Sequence, residues 1–153
     1  MTSDTAPAPL PAPAAWLGYG GALPFIALAA LCWLAASHAG FWFGLLLAYG
    51  AVILSFVGAL HWGFAMTLPG LDNARRSRMM AWSVVPALLA WPAVLLPAAP
   101  GVATLLLGYG LHYLQDQRLC RHADLPSWYL PLRRHLSLAA GTSLLAGMLA
   151  LQG

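Results

Sequence analysis

The chain has 153 residues, 61 % of them hydrophobic and only 7 % charged. Globular domains carry charge on about 25 % of their residues, so this composition excludes a water-soluble fold. No lysine or glutamate occurs; the seven basic residues are all arginines, and the formal net charge is +3. These arginines stand beside long apolar runs, which implies contact with anionic lipid head groups rather than with nucleic acid.

Met1 to Ala15 is a Pro/Ala tail with nothing to bury, expected to be disordered or loosely polyproline-like. It lacks the positive charge of a secretory signal and the arginines of a transit peptide, so it is expected to stay on the mature chain. From Asp4 to Asp72, from Met79 to Gln115 and from His135 onward no residue carries a full charge between the limits. Each gap exceeds or approaches the run of about 20 apolar residues that crosses the hydrocarbon.

A first span is predicted over 16–37, where Trp16 and Tyr19 suit the head-group interface. Gly18, Gly21 and Ala22 thin one side of it for a neighbour, and Pro24 frees the Gly20 carbonyl, so a kink is expected. After a short turn over 37–40, a second span covers 41–66. Its Gly50, Leu54, Gly58, His61 and Ala65 recur at steps of four and three and share one face. The stretch 67–78 reads as a polar loop with Asp72, Arg75, Arg76 and Arg78.

The third span, over 79–98, is interrupted by Pro86 and Pro92 and expected to be kinked. Pro97, Pro100 and Gly101 mark a tight turn into a fourth span over 101–118. The stretch from Leu125 to Arg134 reads as an interfacial segment, Trp128 and Tyr129 lying among the head groups and Arg133 and Arg134 reaching phosphates. The fifth span covers 135–151, with Ala139, Ser143 and Gly147 as a small-residue edge. The predicted fold is therefore all-α, one bundle of five transmembrane helices over 16–153 with kinked first and third helices.

Five spans put every arginine in the loops on the N-terminal side and none on the other. The positive-inside rule then makes the N-terminus cytoplasmic and the C-terminus periplasmic. One helix more or fewer before the last would scatter the arginines to both faces.

So oriented, His61 and His112 fall roughly 6–12 Å below the cytoplasmic interface at 1.5 Å per residue, in one layer with Ser83, Tyr109 and Tyr113. Tyr109, His112, Tyr113 and Asp116 share a helical stripe. His61 is expected to bond across the bundle to a carbonyl freed by Pro24 or Pro86. Asp116 is expected to mark the inner boundary and pair with an arginine such as Arg118, Arg121 or Arg133. His61, His112, Tyr113, Asp116 and Arg133 thus form the candidate cluster, structural or ligand-binding. A haem held by the two histidines, or a metal on His112 and Asp116, lacks supporting ligand spacing, and neither is expected. Cys32 and Cys120 fall at different depths and are not expected to pair. Neither a nucleotide-binding glycine pattern nor HExxH nor a run of membrane carboxylates is present, so no catalytic set and no cofactor is assigned.

WLGYGGALPF at Trp16–Phe25, GALHWG at Gly58–Gly63, WSVVPALLAW at Trp82–Trp91, Tyr113 with Asp116, and LPSWYLPLR at Leu125–Arg133 follow one another in a familiar order. In these pieces the chain resembles the domain of unknown function 3429 family, bacterial relatives of mitochondrial transmembrane protein 69. The resemblance covers roughly Trp16 to Leu149. It implies a bacterial inner-membrane protein with a link to energy-transducing membranes, and it supplies no catalytic residues. The expected function is a non-catalytic accessory or assembly factor for another membrane complex, with the lipid bilayer and that complex as partners. The alternative is a site for a lipid, quinone or similar amphiphile in the cytoplasmic-side polar zone. That alternative requires a lined pocket of about 300 Å³ or more reaching His61.

Overall fold

Glycine and alanine on facing helix surfaces let five helices approach closely, and the architecture follows from where they do so. A computed structural model describes residues 9–152. Its helices are α1 (Ala12–Leu34), α2 (Ala39–Thr67), α3 (Asn73–Ala93), α4 (Ala98–Cys120) and α5 (Tyr129–Leu149), with a short 3-10 turn at Ala36–His38. No strand occurs among the described residues. Helix α2 touches all four others, and α1, α5, α4 and α3 follow in that order in an arc around it.

The α2 face anticipated from sequence is the bundle's central seam: Gly50, Leu54, Gly58, His61 and Ala65 are all buried. At Gly58 a Cβ would stand 2.8 Å from Cβ and Cγ of Pro86 and 3.1 Å from the Ser83 carbonyl oxygen. Only a residue without a side chain admits α3 at that distance. Gly108 against Leu54 and Gly147 against Leu46 make comparable close approaches on α4 and α5. Leu46, Leu54, Val102, Leu105 and Leu144 fill the centre. Outward-facing side chains are apolar as well; Trp16, Leu17, Leu34, Trp91 and Leu95 are all at least 70 % exposed. Soluble monomers do not leave so much large apolar surface uncovered.

Helix α1 and the stretch Ala36–Thr67 are long and apolar enough to cross a membrane, with mean hydropathies of 1.7 and 2.2. Helices α3, α4 and α5 include charged residues near one end: Arg75, Arg76 and Arg78; Asp116 and Arg118; Arg133 and Arg134.

Several boundaries differ from the expected ones, for local reasons. Helix α1 begins at Ala12, inside the supposed tail, because Pro13 in its first turn has its φ preset and needs no N–H partner. Residues 1–8 of that tail lie outside the described residues. The supposed polar loop is half helix: Asp72 caps α3 by accepting the Arg75 backbone N–H at 2.7 Å, which starts the helix at Asn73. Residues 68–72 remain as connection, turning at Gly70 with φ +72°. The turn expected at Pro100 and Gly101 comes earlier. Pro97 is the N-cap of α4, and Pro100 sits in a first turn whose N–H groups lack intrahelical partners anyway. The expected interfacial segment also shortens, since α5 is helical from Tyr129 onward. Pro24, Pro86 and Pro92 lie inside continuous helices.

Candidate functional site: a buried carboxylate cluster

Asp116 is fully buried on α4 and is the hub of the polar cluster. Arg133 on α5 donates from Nε to Asp116 Oδ2 at 2.9 Å. Tyr129, one helical turn before Arg133, donates its hydroxyl to Oδ1 at 3.0 Å. His61 of α2 places Nε2 at 3.7 Å from the same Oδ1, and His112 places its own Nε2 at 3.8 Å. The two imidazoles meet edge to face with centroids 4.9 Å apart. Trp82 of α3 donates its indole N–H to His112 Nδ1 at 3.3 Å. Three helices therefore meet at the carboxylate, and α3 joins the cluster through His112. Asp116, His61 and His112 are each 0 % exposed and Arg133 is 6 % exposed.

Local sequence explains the convergence. His112 and Asp116 are four apart on α4, and Tyr129 and Arg133 are four apart on α5, so each pair presents one face. The absence of a Cβ at Gly58, one turn before His61, brings α3 and Trp82 close.

Of the residues singled out from sequence, His61, His112, Asp116 and Arg133 come together, and Tyr113 does not. It is only partly buried and lines a different cavity with Gly110, Arg134 and Ser137. Of the arginines expected for Asp116 it pairs with Arg133, whereas Arg118 and Arg121 are exposed. His61 makes no bond to a carbonyl freed by proline: neither ring nitrogen has a hydrogen-bond partner. His112 Nε2, whose nearest acidic oxygen is Asp116 Oδ1 at 3.8 Å, and Arg133 Nη2 also lack a bond of ordinary geometry. Tyr129, expected among the head groups, is buried instead. Trp128 is partly buried, Trp16 is 81 % exposed, and Tyr19 has its hydroxyl 3.3 Å from His135 Nδ1. The signal for Tyr129 was its four-residue offset from Arg133, visible only once α5 is extended back to it. Trp82 carried no such signal, being on another helix. Cys32 and Cys120 are both free thiols.

His61, His112 and Asp116 each offer one ligand atom, all within 4.8 Å of one another. A tetrahedral ion with bonds of about 2.1 Å holds its ligands about 3.4 Å apart, so small closures would be needed. Two further features disfavour a divalent ion. Because Trp82 donates to Nδ1, neutral His112 carries its proton on Nε2, the nitrogen a metal would require. Asp116 is already neutralised by Arg133, so the ion would add two uncompensated charges to a sealed interior. The arrangement suits a hydrogen-bonded ion pair, which fixes α4 against α5 and seats two imidazoles beneath it.

Two apolar cavities flank α5. One of about 100 Å³ lies among α1, α2, α4 and α5, with Gly21, Tyr109, Arg133 and Ser137 in its wall. The other, of about 350 Å³, is lined by Tyr113, Arg134 and Leu138 among others. Neither is lined by His61, His112 or Asp116.

The profile of the family described as "Protein of unknown function (DUF3429)" matches residues 10–149. Transmembrane protein 69 of Xenopus tropicalis is 35 % identical over 144 residues, covering 91 % of this chain and 54 % of that protein. The Mus musculus protein of the same name is 31 % identical over 126 residues, covering 80 % and 50 %. The chain thus spans about half the length of these curated relatives. No solved structure matches it. With the shared segment running through all five helices and taking in every member of the carboxylate cluster, the chain belongs to the DUF3429 family of membrane proteins.

Proposed function

We propose that the chain is a five-span protein of the bacterial inner membrane that serves as a non-catalytic accessory or assembly factor for another membrane complex. All five helices cross the bilayer, with the N-terminus cytoplasmic and the C-terminus periplasmic. Support for the topology comes from the charges of α3, α4 and α5, which cluster at the ends that alternation puts on one side. The bilayer covers the outward apolar surface, and the small-residue faces serve helix packing.

One observation carries the non-catalytic assignment. The most concentrated polar chemistry in the chain is 0 % exposed at His61, His112 and Asp116, and the flanking cavities are not lined by any of the three. A reacting group needs access to its substrate; a fastening between helices does not. The amphiphile alternative draws support from Arg133 and Tyr109 lining the 100 Å³ cavity, a volume short of the pocket it requires.

In cells deleted for the chain, His61→Ala and Asp116→Asn are expected to lower its steady-state level. When expression is raised to match wild type, they are expected to restore whatever membrane-complex deficit the deletion causes, as read by native gels. A variant present at full level yet unable to restore the deficit would sink the assignment and favour a chemical role for the cluster.

A further inference from the structure

A second concentration of polar chemistry, which Asp116 does not line, lies where the start of α3 meets the end of α4. A cavity of about 350 Å³ opens there, with Arg75, Arg78, Arg118, His122 and Gln115 in its wall. Leu71, Met79, Leu119 and Ala123 make up the rest of that wall. Met79 and Leu119 are buried and belong to a small apolar cluster with Ala65.

The charge of this cavity is unbalanced. Arg75 faces Asp72 at 3.6 Å, but neither Arg78 nor Arg118 has an acidic partner among the described residues. His122 donates Nδ1–H to the Arg118 carbonyl, and an imidazole supplies no negative charge. Three solvent-exposed guanidinium groups against one carboxylate leave a net charge of about +2 at one concave site, a positive potential that favours an anion. Guanidinium is also the group best shaped for a phosphate, which it meets with two parallel hydrogen bonds.

We propose that this cavity is a binding site for the head-group phosphate of an anionic phospholipid, with Arg78 and Arg118 clamping the phosphate and Arg75 at the rim. The apolar wall distinguishes the occupant. An inorganic anion would leave the partly exposed Leu71 and Ala123 of that wall facing water, whereas the glycerol and upper acyl carbons of an anionic phospholipid would cover them. The inference rests on the five-span topology, which puts Arg78 and Arg118 at the same interfacial level; tagging the chain ends tests that topology independently.

The test uses the full chain, purified in mild detergent and stripped of endogenous lipid. Phosphatidylglycerol, phosphatidylcholine and inorganic phosphate are added separately, and retained adducts are counted by native mass spectrometry. Phosphatidylglycerol is expected to be retained, with at least tenfold lower apparent affinity in the double variant Arg78→Ala, Arg118→Ala. Arg121→Ala, whose side chain is exposed outside this cavity, is expected to bind like wild type. Unchanged melting of the lipid-free double variant would show that lost binding is not lost folding. Equal retention of phosphatidylcholine, or undiminished phosphatidylglycerol binding by the double variant, would overturn the site. Inorganic phosphate competing as well as the lipid would overturn the amphiphile and leave a soluble phosphate in its place.

Discussion

Asp116 and Arg133 show what one charge can do in a sealed interior. Removing one partner of a buried ion pair leaves the other charged and unsolvated, at a cost of about 3–5 kcal/mol. Asp116→Asn is therefore expected to lower the detergent melting temperature sharply, since it strands Arg133. Replacing both, as Asp116→Leu with Arg133→Met, is expected to cost less than Asp116→Asn alone, because no charge is left behind. A double-mutant cycle checks this, and strict additivity would show that the pair is not coupled. Tyr129→Phe removes one hydrogen bond to the carboxylate, worth about 1.5–3 kcal/mol for a charged acceptor, and should fall between. The histidines were legible in the sequence as out of place in an apolar run. Their geometry was not. The expectation that His61 bonds to a proline-freed carbonyl fails because its ring turns toward α4 and meets His112, with Phe64 of its own helix on another side.

Among the elements, α2 is the one against which the others are measured. Its buried face is readable from spacing, but which glycines are indispensable depends on what stands opposite. Gly58→Ala would press a methyl group into the ring of Pro86 and the Ser83 carbonyl, neither of which can rotate away. An overpacking cost of about 1–3 kcal/mol is expected. Gly63→Ala on the same helix meets nothing within 4 Å and is expected to be neutral or stabilising by about 0.5–1 kcal/mol. Thermal melts of the two variants in one detergent check the contrast; equal effects would mean that α2 and α3 are not in contact at Gly58. Tyr49 donating to the Gly21 carbonyl and Tyr109 to the Gly50 carbonyl, each at 2.8 Å, add polar fastenings between helices where lipid offers no alternative partner.

For the whole molecule, the distribution of arginine is the governing quantity. Two crossings between residues 78 and 118 keep all seven on one side, and with five crossings in all, reporter tags at the two ends are expected to lie in opposite compartments. Finding both in one compartment would remove the five-span topology, on which the lipid site rests. The two polar centres would then have different meanings. The Asp116 cluster would still hold α4 to α5, because its partners are fixed by contact. The arginine-lined cavity would lose its lipid, because that occupant depends on where the bilayer surface lies.

Composition and periodicity alone determined that the chain is helical and apolar outside as well as inside, and they identified the α2 face that is buried. Such properties follow from residue spacing along a single helix, and spacing is written in one dimension. Helix starts at Asn73 and Tyr129 lay nearer the limit, since a capping aspartate or a four-residue offset indicates a helix only when its continuation is known. The choice of Arg133 over Arg118 and Arg121, the entry of Tyr129 and Trp82 and the departure of Tyr113 were decided by tertiary structure alone. Each depends on the rotation of one helix against another, which close packing at Gly58, Gly108 and Gly147 sets and no single segment encodes.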